Sequence, residues 1–576
     1  MKKSGVFFVG LLLWFNCFSQ SCLPEGIIFE TQAQIDSFPI NYPGCTMIEG
    51  SVQIRGAEIT NLLGLGSLTR INGFLFINGN DNLTDLTGLN NLTTPGGRLA
   101  IWGNIGLQSL HGLESLDSIH GDLLIYDNNV LSSLDGLDNL VYIESSLDIG
   151  YFIFEHPLLS NISALSNLSY VGVDVIIWSN IALENLQGLE GLSQINNDFI
   201  LYNNSSLNSL AGLENITKIT NHLEIGQNYQ LENFSGLENL DSIGGCLTIS
   251  DNHLLSNISA LSNLQTISGC IYICENENLQ SLEGLENIDS INLLCRIGNN
   301  NVLPNLQGLN GLTYIDGDLS IIANVNMNSY AGLDNLVSIS GKLALNSNGL
   351  IQNLSDFSNL RNIGGSLVIH FNNALTSLSG LEGIDSLGNG LTITSNHNLM
   401  ELDSLIHLKS VGGEIIIDNN KWLTSLHGLD SISAGSISDL SITNNDSLTE
   451  CAIQSICDYL ISPNGNIDIR FNKTSCRTRQ EVETSCLTGI EEPLTNTNPT
   501  SIKIYHNTSS DLLFIENAEI ISRSQVSVFN MNSQELIQQE ITLPTTAINI
   551  SHLPKGYYFI RFSSDSLVKV FKIVKR

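Results

Sequence analysis

The chain has 576 residues and carries 23 Lys and Arg against 57 Asp and Glu, a formal net charge of −34. That length leaves room for more than one domain. So acidic a surface repels phosphate, which argues against nucleic acid and anionic membranes as partners; otherwise the charge reads as what keeps a long, apolar-rich chain soluble.

The chain opens with MKKSGVFFVGLLLWFNCFSQSC, the layout of a secretory signal peptide over residues 1–19. Lys2 and Lys3 form the positive end, Val6 to Phe15 the apolar core, and Cys17 and Ser19 the small residues before a cut at Gln20. The apolar run is too short for a membrane anchor, and Phe15-Asn16 does not make Cys17 a lipoprotein site. No later stretch is long enough to span, so no transmembrane segment is expected in the mature chain. Eleven cysteines are present. The ten beyond Cys17 would lie in an exported chain, where disulfides persist.

An internal repeat then takes over. Gly64-Leu65 recurs as Gly88-Leu89, Gly112-Leu113 and Gly136-Leu137, at 24-residue spacing. After one 28-residue step to Ala164-Leu165 the count restarts and holds to Gly428-Leu429. Ala164, Ala260, Asp356 and Ser404 replace the Gly, so the position reads as a tight corner wanting a small side chain rather than a positive φ. Within a unit, pairs such as Leu123 and Ile125 alternate with outward residues, as in a short strand. Three residues after the second comes an Asn: Asn80, Asn104, Asn128, Asn180, Asn204, Asn228, Asn252, Asn276, Asn300, Asn324, Asn348, Asn372, Asn396 and Asn420, then Asn445 one residue late. This is close to L-x-L-x-x-N-x-L. One unit cannot bury its Leu and Ile alone; stacking makes one continuous core. Buried Asn side chains can satisfy loop backbone above and below. About eighteen parallel strands are expected, from near Ser51 to near Ile469.

The phrase CTMIEGSVQI at 45–54 and the repeated L-x-x-I-x-G-x-L-x-I resemble the receptor L domain over about residues 22–487. The resemblance implies a mostly β, right-handed leucine-rich-repeat or β-helix solenoid of 24-residue rungs. It occurs in ligand-binding parts of growth-factor receptors and in bacterial surface proteins, which bind through variable surface residues.

Open solenoid ends need covers. The N-terminal cap is placed at 20–50, the repeats at 51–450 and a Cys-rich cap at 451–486. Cys22 and Cys45 bracket the first rung as a staple. Cys451, Cys457, Cys476 and Cys486 permit three pairings. Their segment resembles cysteine-rich C-terminal caps, and that resemblance implies Cys451–Cys476 with Cys457–Cys486. No paired C-x-x-C supports zinc instead. Cys246 and Cys270 share an outward phase on adjacent rungs, within disulfide range. Cys295 falls inward as a buried free thiol; Cys274 falls outward without a partner.

Residues 487–500, LTGIEEPLTNTNPT, read as a linker. From 501 to 576 positive charge returns, and Ile502 to Tyr505, Val526 to Phe529 and Tyr557 to Phe562 read as strands of a small β-sandwich. IKIYHN at 502–507, ISHLPKGYYFIRF at 550–562 and VFKIVKR at 570–576 resemble the C-terminal sorting domain of type IX secretion. His506 and Thr508 stand where that family has prolines. The resemblance implies the type IX machinery as a partner, removal of the tail, and release from or attachment to the outer surface of a Gram-negative-type cell.

Signs of catalysis are weak. β-Helix enzymes acting on polysaccharides need clustered carboxylates with a basic residue or calcium ligands. The position before the inward Leu holds Asp122, Asp174, Asp198 and Asp318 among Arg98, Ser146, His222 and Cys246, and no Lys or Arg lies between Arg98 and Lys218. Asp174 and Asp198 read as solvated acids. No metal-binding spacing occurs, so no cofactor and no enzymatic activity are expected. A carbohydrate-active β-helix enzyme using Asp174 or Asp198 is the alternative.

The expected function is binding or adhesion at the cell surface, toward a glycan or protein ligand. One outward column carries Trp102, Tyr126, Trp178 and Tyr202, whereas later rungs have Gly226, Ser250, Gly298, Asn346, Thr394 and Asp418 there. The four-residue insertion between Tyr126 and Trp178 reads Tyr151-Phe152-Ile153-Phe154. Aromatic rings on a rigid sheet offer stacking faces to sugars or anchors to a protein. The competing reading is that they pack sideways over neighbouring rungs.

Overall fold

A computed structural model describes residues 20–151, 156–488, 502–507, 512–517, 524–530, 534–541, 545–563 and 568–575. The signal peptide expected at 1–19, Phe152 and Phe154 of the insertion, and residues 489–501 of the expected linker region lie outside them.

Residues from Gln20 to Thr488 form one parallel β-solenoid with a cap at each end. Its long sheet runs in register from Ile27–Phe29 through Val52–Ile54, Leu75–Asn78 and each later rung to Leu440–Thr443 and Ile467–Arg470. The register is one-to-one, so Leu123 lies beside Leu99 and Leu147, and Tyr126 beside Trp102. Ile27–Phe29 is a rung of this sheet although the repeat pattern begins only near Ser51. It lacks the Leu/Asn signature because it sits under the cap. On another side of the coil, two-residue strands such as Ser118–Ile119 and Tyr142–Ile143 pair in shorter parallel sheets.

The inward columns are Leu, Ile, Val and Phe at essentially zero exposure, contiguous from Phe29 to Val482. The Asn column runs beside them, also fully buried. Except for Asn80 and Asn180, each ladder Asn Oδ1 accepts the backbone N–H of the Asn one rung earlier, and each Nδ2 donates to the Ile or Leu carbonyl of the preceding strand. Asn204 N–H reaches Asn228 Oδ1 at 3.1 Å, Asn228 N–H reaches Asn252 Oδ1 at 3.1 Å, and Asn228 Nδ2 reaches the Leu201 carbonyl at 2.9 Å. The ladder extends past Asn445 to Asn472, whose Oδ1 accepts Asn445 N–H at 3.0 Å.

This ladder imposes backbone strain. The residue before each ladder Asn takes a left-handed φ of about 55–65°, including Asp127, Ala323 and Phe371 at 57°, 58° and 56°. Each such non-Gly residue costs on the order of 1 kcal/mol. Ala and Phe have no local side-chain hydrogen bond to offset it, so the buried Asn bonds hold the conformation.

The Gly-Leu corner departs from the expectation of a merely small residue. Gly88, Gly112, Gly136, Gly188 and Gly212 all have φ between 112° and 120°. A Cβ on Gly112 would lie 2.0 Å from the Leu86 carbonyl oxygen. Where another residue stands, and at Gly64 and Gly428, the corner takes another shape: Leu63–Leu65, Ser163–Leu165, Ser259–Asn263, Ser355–Phe357, Asp403–Leu405 and His427–Leu429 are 3₁₀ turns. Two residues after many of these Gly an acid accepts the Gly N–H, as Glu114 does from Gly112 at 2.9 Å and Glu214 from Gly212 at 2.9 Å. Part of the negative charge is therefore corner capping, a use beyond solubility.

The caps are helical. Gln32–Asn41, started by a Thr31/Gln34 capping box, packs Ile35 and Phe38 over the first rungs. At the other end lie Gln454–Ile461 and Arg479–Thr488. The second helix runs past residue 486, into the segment read as linker. Disulfides join Cys22–Cys45, Cys451–Cys476, Cys457–Cys486 and, on the outer face, Cys246–Cys270. Cys295 is a buried free thiol, its pKa pushed up to about 12 by burial. Cys274 is a free thiol in the outward phase, beside Ser250 and Gly298, and is nonetheless buried; the Arg296 guanidinium lies over the neighbouring Tyr272 ring.

The tail is a separate sandwich of a three-stranded and a four-stranded antiparallel sheet. Its core includes Leu513, Val526, Val528, Ile560 and Phe562. The buried Lys575 ammonium donates to the carbonyls of Ile550, Ser551 and Leu553 at 2.6, 2.8 and 2.8 Å, tying the last strand to the preceding turn.

Candidate ligand-binding face

Side chains alternate across a strand, so each rung of the long sheet offers three outward positions about 7 Å apart. In the first half these form three columns. One edge carries Arg98, Asp122, Ser146, Asp174, Asp198 and His222. The middle carries Phe76, Ala100, Leu124, Asp148, Ile176 and Ile200. The other edge carries Trp102, Tyr126, Gly150, Trp178 and Tyr202.

Trp102, Tyr126, Trp178 and Tyr202 share one column, and Tyr151 joins them. Trp102 stacks on Tyr126 with centroids 5.9 Å apart and planes 17° apart; Tyr126 meets Tyr151 at 5.4 Å; Trp178 meets Tyr202 at 4.8 Å. Phe76 meets the Trp102 ring edge-on at 5.6 Å and stacks on Phe74. The rings are half-buried, and Tyr151 and Phe74 are half-exposed at 49% each. Neighbouring rings partly cover one another's faces, and the Tyr202 ring lies over Gly226 of the next rung. Sideways packing and surface display thus both occur.

The acids of the opposite edge have backbone partners. Asp122 Oδ1 accepts Ser146 N–H at 3.2 Å, Asp174 Oδ1 accepts Asp198 N–H at 3.1 Å, and Asp198 Oδ1 accepts His222 N–H at 3.0 Å. Each carboxylate caps the next rung, so Asp174 and Asp198 are structural as well as solvated. Arg98 is held by Asp122, with a nitrogen–oxygen distance of 2.6 Å. Burial works to raise the Asp122 carboxyl, but bonds from Ser145, the Ser146 amide and Arg98 outweigh it and hold the carboxyl below the usual range.

Asp148 escaped the sequence reading. It stands alone among apolar residues in the middle column, and its buried Oδ1 accepts no hydrogen bond. Burial, then the nearby Asp122 and Asp174 charges, push its pKa up to about 7 against the opposing pull of Arg98. The signal was present: an Asp in a column of Phe, Ala, Leu and Ile.

The same rung interrupts the Asn ladder. His156 stands at the buried Asn position, fully enclosed, with both ring nitrogens unpartnered. Its backbone N–H donates to the Ser179 carbonyl at 2.9 Å, leaving Asn180 Oδ1, like Asn80 Oδ1 at the start of the ladder, without a donor. Burial lowers the His156 pKa to about 4. Gly150 opens the insertion at φ 91°, where a Cβ would collide with the Trp178 carbonyl.

Among the described residues no group of three or more His, Cys, Asp or Glu could hold a metal, and no helix is long and apolar enough to cross a membrane.

These features define a class: a leucine-rich parallel solenoid, capped at both ends by helices and disulfides, with one aromatic and acidic stretch of outer face and a separate β-sandwich tail. Residues 44–108 and 215–308 match the receptor L domain family, and residues 503–576 match the secretion system C-terminal sorting domain. The protein is a parallel solenoid similar to the receptor L domain over those two segments, and its type IX sorting domain marks it for export and then for attachment to the outer cell surface or release. No curated protein matches the sequence.

Proposed function

We propose that the protein is a non-catalytic binding or adhesion module displayed at or released from the cell surface, taking its ligand on the outer face between Phe74 and Tyr202. The observation that carries this reading is the row Trp102, Tyr126, Tyr151, Trp178 and Tyr202 beside an apolar middle column. Contiguous exposed apolar surface on a rigid scaffold is what interaction sites use, and aromatic side chains bind at low entropic cost. A test is capture of surface components from native-host cells on the immobilised solenoid. Replacing Trp102 and Tyr202 by Ala should remove the captured ligand; unchanged capture would place the site elsewhere.

One observation favours a glycan-cleaving alternative. Asp148 holds its proton near neutrality beside ionised Asp122, a pairing that acid–base chemistry employs. Product release from a captured glycan, lost in Asp148→Asn, would support that alternative over binding alone.

A further inference from the structure

We propose that the rung carrying Asp148 and His156 is a joint in the solenoid: it opens as one unit while the coil on either side stays closed, and the acid and the base buried in it bias that opening in opposite senses. The Asn ladder points there first. Asn104 N–H is accepted by Asn128 Oδ1 at 3.1 Å and Asn180 N–H by Asn204 Oδ1 at 3.0 Å, and the same link joins each later rung as far as Asn472. Among the described residues only the step across His156 lacks it. His156 is fully enclosed, neither ring nitrogen has a partner, and Asn180 Oδ1 has no donor.

The long sheet narrows at the same place. Leu147–Ile149 pairs through three residues with each neighbouring strand, Leu123–Tyr126 and Val175–Trp178. Those two strands pair through four with their outer neighbours, Leu99–Trp102 and Phe199–Tyr202. No described disulfide crosses the rung: Cys22–Cys45 lies before it, and Cys246–Cys270, Cys451–Cys476 and Cys457–Cys486 lie after it. The coil stays joined on another side, where Ser118–Ile119, Tyr142–Ile143 and Tyr170–Val171 share a sheet and Tyr142 stacks on Tyr170 at 5.0 Å. Each rung of a solenoid is held by its neighbours, so a rung with fewer links opens before the rest. This one falls between the ring pairs Trp102–Tyr126 and Trp178–Tyr202, and opening it parts the two pairs.

Two unpartnered groups of opposite type are buried in the joint. Asp148 has Leu124 and Ile176 beside it in the sheet, and its Oδ1 accepts no hydrogen bond. Burial, then Asp122 and Asp174, push its pKa up to about 7 against the pull of Arg98. Burial alone lowers that of His156 to about 4; no charged group acts on it, and its ladder neighbours Asn128 and Asn180 do not titrate. When the rung opens, Asp148 can release its proton and His156 can take one up. Rising pH therefore favours opening through Asp148 and falling pH favours it through His156, each by up to about tenfold per pH unit between the group's buried and ordinary pKa. Over most of the interval from about pH 4 to 7 the two biases cancel.

Hydrogen–deuterium exchange on the purified full-length protein, corrected for the intrinsic rate at each pH, tests this. Between about pH 4.5 and 6.5, peptides containing Leu147–Gly150 should exchange about tenfold or more faster than those containing Leu99–Trp102 or Leu223–Gly226, almost independently of pH. Asp148→Asn leaves the His156 bias, so exchange there should rise by more than about tenfold from the upper to the lower end of that interval. His156→Asn leaves the Asp148 bias and should give a slope of similar size and opposite sign. Exchange at Leu147–Gly150 no faster than in the other two rungs would overturn the joint. Variants that keep the parent's flat profile, or that share one sign of slope, would overturn the opposed pair. Should His156→Asn close the rung beyond measurement by restoring a ladder residue, the acid-favoured slope of Asp148→Asn decides alone.

Discussion

The two halves of the solenoid share an inside and differ outside. From Leu75 to Ile469 the inward columns are mostly Leu, Ile and Asn, buried in both halves. On the outer face, the column that carries Trp102, Tyr126, Trp178 and Tyr202 continues as Gly226, Ser250, Gly298 and Thr394. The middle column turns from Ile176 and Ile200 to Glu224, Thr248 and Ser320. Interior positions repeat because every rung solves the same packing problem. Outer positions are free of that constraint, so their residues can differ from rung to rung.

Interior changes should break both halves alike. The largest effect expected is at the corner: Gly212→Ala and Gly380→Ala place a Cβ 2.0 and 1.9 Å from a carbonyl oxygen. Each should lower stability by roughly 3 kcal/mol in denaturant unfolding. Ala164→Gly, in a corner that has already adopted a 3₁₀ turn, should change it by less than about 1 kcal/mol. Asn228→Ala in the first half and Asn372→Ala in the second should each cost about 1–3 kcal/mol, since either leaves a ladder N–H and a strand carbonyl unsatisfied. Clearly unequal costs would mean that the shared interior is not energetically shared.

Two titrating groups separate the halves. Asp148 has a raised pKa, so the native state holds a proton between about pH 4 and 7 that the unfolded chain has released. Stability from this group is present at low pH and lost as pH rises through about 7. Asp148→Asn should therefore gain on the order of 1–2 kcal/mol over the parent at pH 8, after allowance for partial exposure, and almost nothing at pH 4. His156 behaves oppositely. Its native pKa of about 4 lies below the usual 6.5, so stability present above pH 6.5 is lost as pH falls toward 4. His156→Asn, which restores a ladder residue, should flatten that acid slope by about 1–3 kcal/mol, read from melting temperatures at pH 7 and 4.5. The smallest effect is expected in the later half: Thr392→Ala should stay within about 0.5 kcal/mol and leave ligand capture intact.

Much of this was legible from spacing. The Asn column is set by a 24-residue period, and Cys246 and Cys270 meet because equal phase on adjacent rungs puts their Cα atoms 4.3 Å apart. The aromatic column is legible for the same reason. Other features were not. The rung at Ile27–Phe29 carries no repeat signature. Gly112 and Ala164 look interchangeable in the sequence but take different backbone paths. Asp174 and Asp198 looked free until their contacts with the next rung's amides were visible.

The sequence by itself determined the coil, its phase and its export tail, because each follows from a local pattern repeated until a single packing satisfies every copy. The tertiary structure decided how the outer side chains meet. Ring faces are turned against one another, carboxylates are committed to the next rung's N–H groups, Asp148 is set among apolar neighbours, and His156 breaks the ladder behind them. These depend on distances between residues 24 to 31 positions apart and on burial by neighbours, which a period can align but cannot orient.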